Sequence, residues 1–360
     1  NILTAKNIKK SYFNKSKIYS TNTIYNPGYN FGAWAPAWAG PGSDAATDGD
    51  DDIALACLIA WKQWGDNTGY YAPGGSGANN ANGRPAIQYK QMALDLMRFM
   101  VAKDEGDIVG DNYYDSGDIG FDGYVKGGNT WPELTNWGAL QPGDKPDRGG
   151  TQANSYYDYT APGYYRCFAE VLQANGDPAW NYNQFFRATA ASNWVMGRLA
   201  ASANKVIDAG QYTVTGSTVT FQNFNVGGED FRAPLRNILD YLWNGNPAED
   251  WDPINHAIIP GGNNWQYQAA IKQTNFYRNP QATGLACKVY GSSKISFNGV
   301  AALTAYNLDG SEFWTYHLNR FGASAPAIVA SQDFDLMGQF FRELMIEWDV
   351  TTPGDNYLSS

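Results

Sequence analysis

Two histidines, His256 and His317, and three cysteines, Cys57, Cys167 and Cys287, are all that 360 residues contain of either type. So little histidine leaves a His-rich metal centre or a serine-type triad little to work with. The cysteines are odd in number and fit no spaced metal motif or disulfide framework. Cys57 and Cys167 fall on apolar helical segments and are expected to be buried free thiols. Charge is also sparse: Asp, Glu, Lys and Arg make up 17% of the chain, with a net charge of −10. That balance argues against nucleic acid, because neutralising phosphates takes Lys and Arg. No run of about 18 apolar residues occurs, so no membrane-spanning helix is expected. The first acidic residue is Asp44 and the first glutamate is Glu105. No signal peptide is visible, and the chain starts at Asn1 rather than Met, as a processed or truncated form would. No metal or other cofactor is expected, and carboxylates must carry any hydrolytic chemistry.

Aromatic residues, by contrast, are plentiful: 15% of the chain, with 13 Trp and 24 Tyr. Flat aromatic faces stack on the C–H faces of sugar rings, and their N–H and O–H groups bond to hydroxyls. Some must also fill the core. The composition suits an extracellular, carbohydrate-facing protein.

The densest chemical signal is Ala46-Thr47-Asp48-Gly49-Asp50-Asp51-Asp52-Ile53-Ala54, which runs into Leu55-Ala56-Cys57-Leu58-Ile59-Ala60-Trp61. Acids in the first turn complement the helix dipole, and Thr47 or Asp48 can cap its free amides. The remainder is apolar almost all round, which predicts a helix buried on every side. Four carboxylates in five positions exceed what capping requires. The stretch from Ala46 to Trp64 resembles the signature of glycoside hydrolase family 8, secreted enzymes that cut β-1,4-linked glucans, xylans or chitosan. Cys57 stands where an aliphatic residue is usual.

Two further segments carry the resemblance. Ser155-Tyr156-Tyr157-Asp158-Tyr159-Thr160-Ala161-Pro162-Gly163-Tyr164-Tyr165-Arg166 is similar to the family's loop-to-helix segment, with Asp158 in place of Ser and Thr160 in place of Phe. Tyr159 is either a sugar contact or a tyrosine packed at the helix entry. Gly228-Glu229-Asp230-Phe231-Arg232-Ala233-Pro234 resembles the family's base motif, and aligning Arg232 and Pro234 puts Glu229 at the base position, with Asp230 the competitor. A spacing of three lets Glu229 meet Arg232, which would keep the carboxylate ionised. The plain alternative is a capping acid beside an arginine.

The resemblance implies an all-α fold, an (α/α)6-type toroid with long loops and a small β-hairpin, incomplete at its N-terminus. It covers roughly residues 30 to 350 and implies inverting hydrolysis, which uses one carboxyl to protonate the leaving oxygen and another to activate water. It assigns Glu229 as base, Asp48 as the group gripping the central sugar, and Asp50 as its support. Arg232 and Tyr159 would bind substrate, and Trp34 and Trp38 would be stacking platforms or core. The family's acid, a Glu upstream of the signature, has no counterpart. Three explanations compete: truncation, recruitment of Asp44, Asp48 or Glu133, or loss of catalysis. The runner-up function is therefore a non-catalytic polysaccharide-binding or extracellular structural protein.

Segments 1–45 (irregular), 46–350 (toroid) and 351–360 (tail) follow. Helical patterns recur near 50–64, 87–103, 161–174, 183–203, 231–243, 265–276, 297–307 and 332–347. A hairpin is expected around Thr215-Gly216-Ser217.

Overall fold

The computed structural model describes residues 47–65, 89–102, 117–128, 134, 155–201, 211–222, 232–278, 287–290, 294–297, 304–306, 312–315 and 328–338. These fall into two compact units: Asn1–Ala153 with Phe168–Phe185, and Asn154–Cys167 with Phe186–Ser360. No described helix is long and apolar enough to cross a membrane.

In the first unit, helix α1 (Thr47–Trp64) packs against α2 (Tyr89–Met100). The apolar spacing of Tyr89, Ala93, Leu96, Met97 and Met100 puts those side chains on one buried stripe of α2, as a period of 3.6 requires. Contrary to expectation, α1 is buried along one stripe only. Ala54, Cys57, Leu58 and Ala60 are inside, while Ile53, Ile59 and Trp64 are 38%, 59% and 42% exposed. Apolar content sets how much surface a helix could bury, but its neighbours decide which side is covered. Cys57 is a buried free thiol as expected, whereas Cys167 is free but only half-buried. Burial pushes the Cys57 thiol up to about 12. The segment 117–128 folds into a buried turn closed by the Ile119–Val125 bridge. Phe121 meets Trp180 edge-on at 5.9 Å, and the Trp180 indole donates to the Val101 carbonyl at 2.9 Å.

Helices α3 (Pro162–Ala174) and α4 (Ala179–Ala201) contribute to both units. Pro162 opens α3, where its missing N–H has no helical partner to lose. The second unit continues with β2 (Gln211–Thr215) and β3 (Thr218–Gln222), the expected hairpin. Its register pairs Thr213 with Thr220, and β1 (Ser155–Tyr156) adds a third antiparallel strand through Ser155 and Tyr212. Helix α5 (Arg232–Asn244), the hairpin β4 (Glu249–Asp252) with β5 (Ala257–Pro260), and α6 (Trp265–Arg278) follow. The core of this unit gathers Trp194, Val195, Leu199, Ile238, Ala269, Ala270 and Trp251. Each large apolar side chain buried there contributes about 1.5–3 kcal/mol.

Of the helix expected over 297–307, Phe297 and Thr304–Tyr306 lie in strands instead, and the other positions lie outside the described residues. Phe297 ends β7 (Lys294–Phe297), which pairs with β6 (Cys287–Tyr290), and β8 (Thr304–Tyr306) pairs with β9 (Glu312–Thr315). Lys-Ile-Ser-Phe alternates with the strand period of two, which suits its pairing with β6. Of the helix expected over 332–347, residues 334–338 are helical and 339–347 lie outside the described residues.

Candidate functional site

The acidic start of α1 is anchored from its first residue. Thr47, fully buried, donates its hydroxyl proton to the Lys126 carbonyl at 2.7 Å, and its N–H meets the Gly127 carbonyl at 3.3 Å. The turn 117–128 thereby fixes where the helix begins. Asp48 is half-exposed, Asp50 and Asp51 are buried, and Asp52 is exposed. The carboxylate assigned to grip sugar thus reaches solvent, and the one assigned to support it does not. Asp118, Asp122 and Lys126 are also buried in this unit. Sequence reasoning missed these three and the burial of Asp51. The Asp122-Gly123 pair is a turn signal, and Asp122 does accept the Tyr124 N–H at 3.0 Å.

In the second unit the loop before α3 runs along α5. Tyr157–Tyr159 forms a single 3₁₀ turn. Asp158, buried, pairs with Arg232 at 2.9 Å, and its backbone carbonyl accepts from Arg236 at 3.0 Å. Thr160 donates to the Tyr157 carbonyl at 2.5 Å and lies 2.6 Å from the Asn237 side chain. The Arg232 guanidinium lies over the Tyr159 ring at 5.5 Å, and Tyr156 and Tyr159 are 5.1 Å apart. Gln211 donates to the Tyr156 hydroxyl at 2.6 Å. Two half-exposed tyrosines and a held arginine therefore line the first turn of α5. Tyr159 is packed at the helix entry against Tyr156 and Arg232 and is partly open to solvent. Burial and the neighbouring Tyr212 push the Tyr157 hydroxyl well above its ordinary value, so it stays protonated.

The partner described for Arg232 is Asp158, a residue that the sequence offered only as a replacement for Ser. Seventy-four positions separate the two, and no local pattern signals such a pairing. Glu229, Asp230, Trp34, Trp38, Asp44 and Glu133 lie outside the described residues. The site residues that are described, Asp48 and Asp50 on α1 and Tyr159 and Arg232 at α5, belong to different compact units.

Further along α5, the buried Asp240 joins side chains from four helices. It accepts from Arg166 on α3 at 2.9 Å, Asn193 on α4 at 3.1 Å, Asn244 on its own helix at 2.9 Å, and Gln266 on α6. Arg166 also reaches Glu249 at 2.8 Å. Gly163 makes the approach of α3 to α5 possible, since a Cβ there would stand 2.9 Å from the Asp240 backbone nitrogen.

No family profile and no curated protein sequence matches this chain. Solved structures do. Over 90% of its length the chain superposes on a reducing-end-xylose-releasing exo-oligoxylanase, with a TM-score of 0.51 and 15% sequence identity. A single-residue variant of that enzyme gives a TM-score of 0.50 and 16% identity over 88% of the chain. The chain spans 66% and 63% of those two proteins, under two thirds of their length. The likeness shows a shared fold: predominantly helical with a small antiparallel sheet, of the (α/α)6 toroid class expected from the family 8 resemblance.

Proposed function

We propose that this chain is a secreted β-1,4-glycan hydrolase of family 8 type, acting with inversion on a xylan- or cellulose-like backbone. The observation that carries the reading is the anchored acidic start of α1, in a fold shared with a xylose-releasing oligoxylanase. Asp48 stands half in solvent there, beside the buried Asp50. In this reading Glu229 takes a proton from water as the water oxygen attacks the anomeric carbon. The glycosidic C–O bond breaks as an acid protonates the departing oxygen, for which Asp44, Asp48 and Glu133 are the candidates. Asp48 is assigned to grip the central sugar, and Tyr159 and Arg232 are assigned to substrate binding. Asp50 is assigned as the support of Asp48.

The test is hydrolysis of xylo- and cello-oligosaccharides, with the product anomer followed by NMR. The expected result is an inverted product, and a fall of at least about a hundredfold in kcat/KM for both Glu229→Gln and Asp48→Asn. A glycosyl fluoride, which needs no acid for departure, separates loss of the acid from loss of the site. Turnover of the fluoride with little polysaccharide cleavage would identify a site short only of its proton donor. Inactivity on both substrates would favour the non-catalytic, glycan-binding reading.

A further inference from the structure

The last turn of α5 and the turn after it carry a feature that the proposed reaction does not use. Trp243 is 47% exposed, and Leu242 beside it is 36% exposed. A tryptophan at the surface is usually mobile or covered, but this one is held. Its ring lies nearly parallel to that of Tyr164, at 19° and 6.2 Å between centroids. Its inner edge rests on the start of α3 at Gly163, where a Cβ would stand 3.2 Å from the indole. One side of the indole is thus fixed against Tyr164 and Gly163 while about half of the residue meets solvent. Gly245, at φ 74°, donates its N–H to the Tyr241 carbonyl and turns the chain at the end of the helix. Asn244, whose side-chain amide donates to Asp240 at 2.9 Å, and the exposed Asn246 follow, and the Asn246 side chain makes no hydrogen bond among the described residues.

Chemistry selects the occupant. From Tyr241 to Ala248 the sequence is Tyr-Leu-Trp-Asn-Gly-Asn-Pro-Ala, without a charge, on a chain whose net charge is −10. A phosphate-bearing or acidic ligand would find no cation in this segment. A flat aromatic face beside neutral carboxamides suits a neutral polyhydroxylated ring, which stacks its C–H face and shares its hydroxyls with amides. The platform is also pre-organised, so little side-chain entropy is lost on binding. Trp243 stands eleven positions after Arg232, about 16 Å along the axis of α5, too far for one sugar to touch both.

We infer that Trp243, with the Asn244–Asn246 turn, is a second glycan-binding platform that holds a neutral β-linked polysaccharide away from the Tyr159 and Arg232 wall. The inference rests on the glycan reading given above, and its test separates the two. Retention is measured in native gels containing soluble xylan or a soluble cellulose derivative, alongside hydrolysis of a short oligosaccharide.

Trp243→Ala is expected to lose polysaccharide retention on the order of tenfold, with kcat/KM on the short oligosaccharide unchanged. Trp243→Phe, which keeps an aromatic ring against Tyr164, guards against a folding defect and is expected to fall between. Retention of Trp243→Ala equal to that of the unsubstituted chain overturns the platform, while continued oligosaccharide cleavage leaves the hydrolase reading standing. Equal failure of both variants and of a control substitution at exposed Ile254 also overturns it. So does sedimentation showing a dimer that Trp243→Ala dissociates without any change in retention, since the face would then belong to a second copy. Absence of retention in the unsubstituted chain overturns it as well, and oligosaccharide cleavage then decides the hydrolase reading alone.

Discussion

Asp158 shows what a single carboxylate can organise. It is almost wholly buried, yet it faces an arginine at 2.9 Å and offers its own carbonyl to a second arginine, Arg236. Removing one member of a buried pair leaves the other charge uncompensated, at a cost of about 3–5 kcal/mol. Arg232 would then be free to leave the face of Tyr159. Asp158 is therefore a positioning residue: it sets Arg232 and Tyr159 without being assigned a contact with substrate. Asp158→Ala is expected to lower kcat/KM for glycan hydrolysis about 10–100-fold, with Asp158→Asn recovering part of the loss. The informative readout is the division of that loss. A fall mainly in kcat points to misplacement of groups near Glu229, and a rise confined to KM points to the sugar wall. Unchanged kinetics in a folded Asp158→Ala protein would show that the pair is structural only.

At the scale of elements, the same logic applies to the polar knot at Asp240, where α3, α4, α5 and α6 meet on one carboxylate. Asp240→Asn keeps the shape but removes the countercharge of Arg166, leaving it only Glu249. Loss of about 3 kcal/mol is expected, with melting lowered by roughly 10 °C in a unit of this size. Calorimetry checks it, and a shift under 2 °C would mean that Glu249 alone suffices. The elements themselves were largely legible. Acids before an apolar run mark α1, Pro162 marks the start of α3, and the alternation around Gly216 marks β2 and β3. The β4–β5 hairpin was not, because each strand has four residues and the positive φ of its turn falls on His256 rather than on the neighbouring Asn255. That conformation is held from elsewhere, by Arg187 donating twice to the His256 carbonyl at 2.8 and 3.2 Å. The partner of Arg232 was hidden for the same reason. The fold brings Asp158 to Arg232 from 74 positions away, while Glu229, to which the local spacing points, lies outside the described residues.

For the whole molecule, the acid limb of stability is written in part by Asp177. Burial acts against its ionisation. The hydrogen bonds from Arg98, Asn175 and Asn181, with the charge of Arg98, outweigh burial and hold the carboxyl below its usual range. A depressed carboxyl contributes stability in full above the unfolded value of about 3.9, and that stability is lost as pH falls through the lower folded value. Asp95, beside the same arginine, works the other way: burial raises it, so its contribution is lost as pH climbs past the unfolded value. Asp177→Asn should therefore cost about 2 kcal/mol near pH 6, a deficit that shrinks as pH drops below about 4. Urea unfolding at several pH values measures it, and a deficit independent of pH would refute the linkage. The interior position of Cys57 has a different use. A thiol that is buried and held almost fully protonated can be alkylated only when α1 comes away from its neighbours. With Cys167 and Cys287 replaced by Ser, the labelling rate in native buffer becomes a clock for that opening. Each tenfold slowing relative to the unfolded chain then reads as about 1.4 kcal/mol of local stability. We expect slowing of at least about a thousandfold, as for a helix that opens only with most of its unit. Labelling as fast as in urea would mean that α1 is already loose, and a loose α1 could not hold Asp48 still enough to grip a sugar.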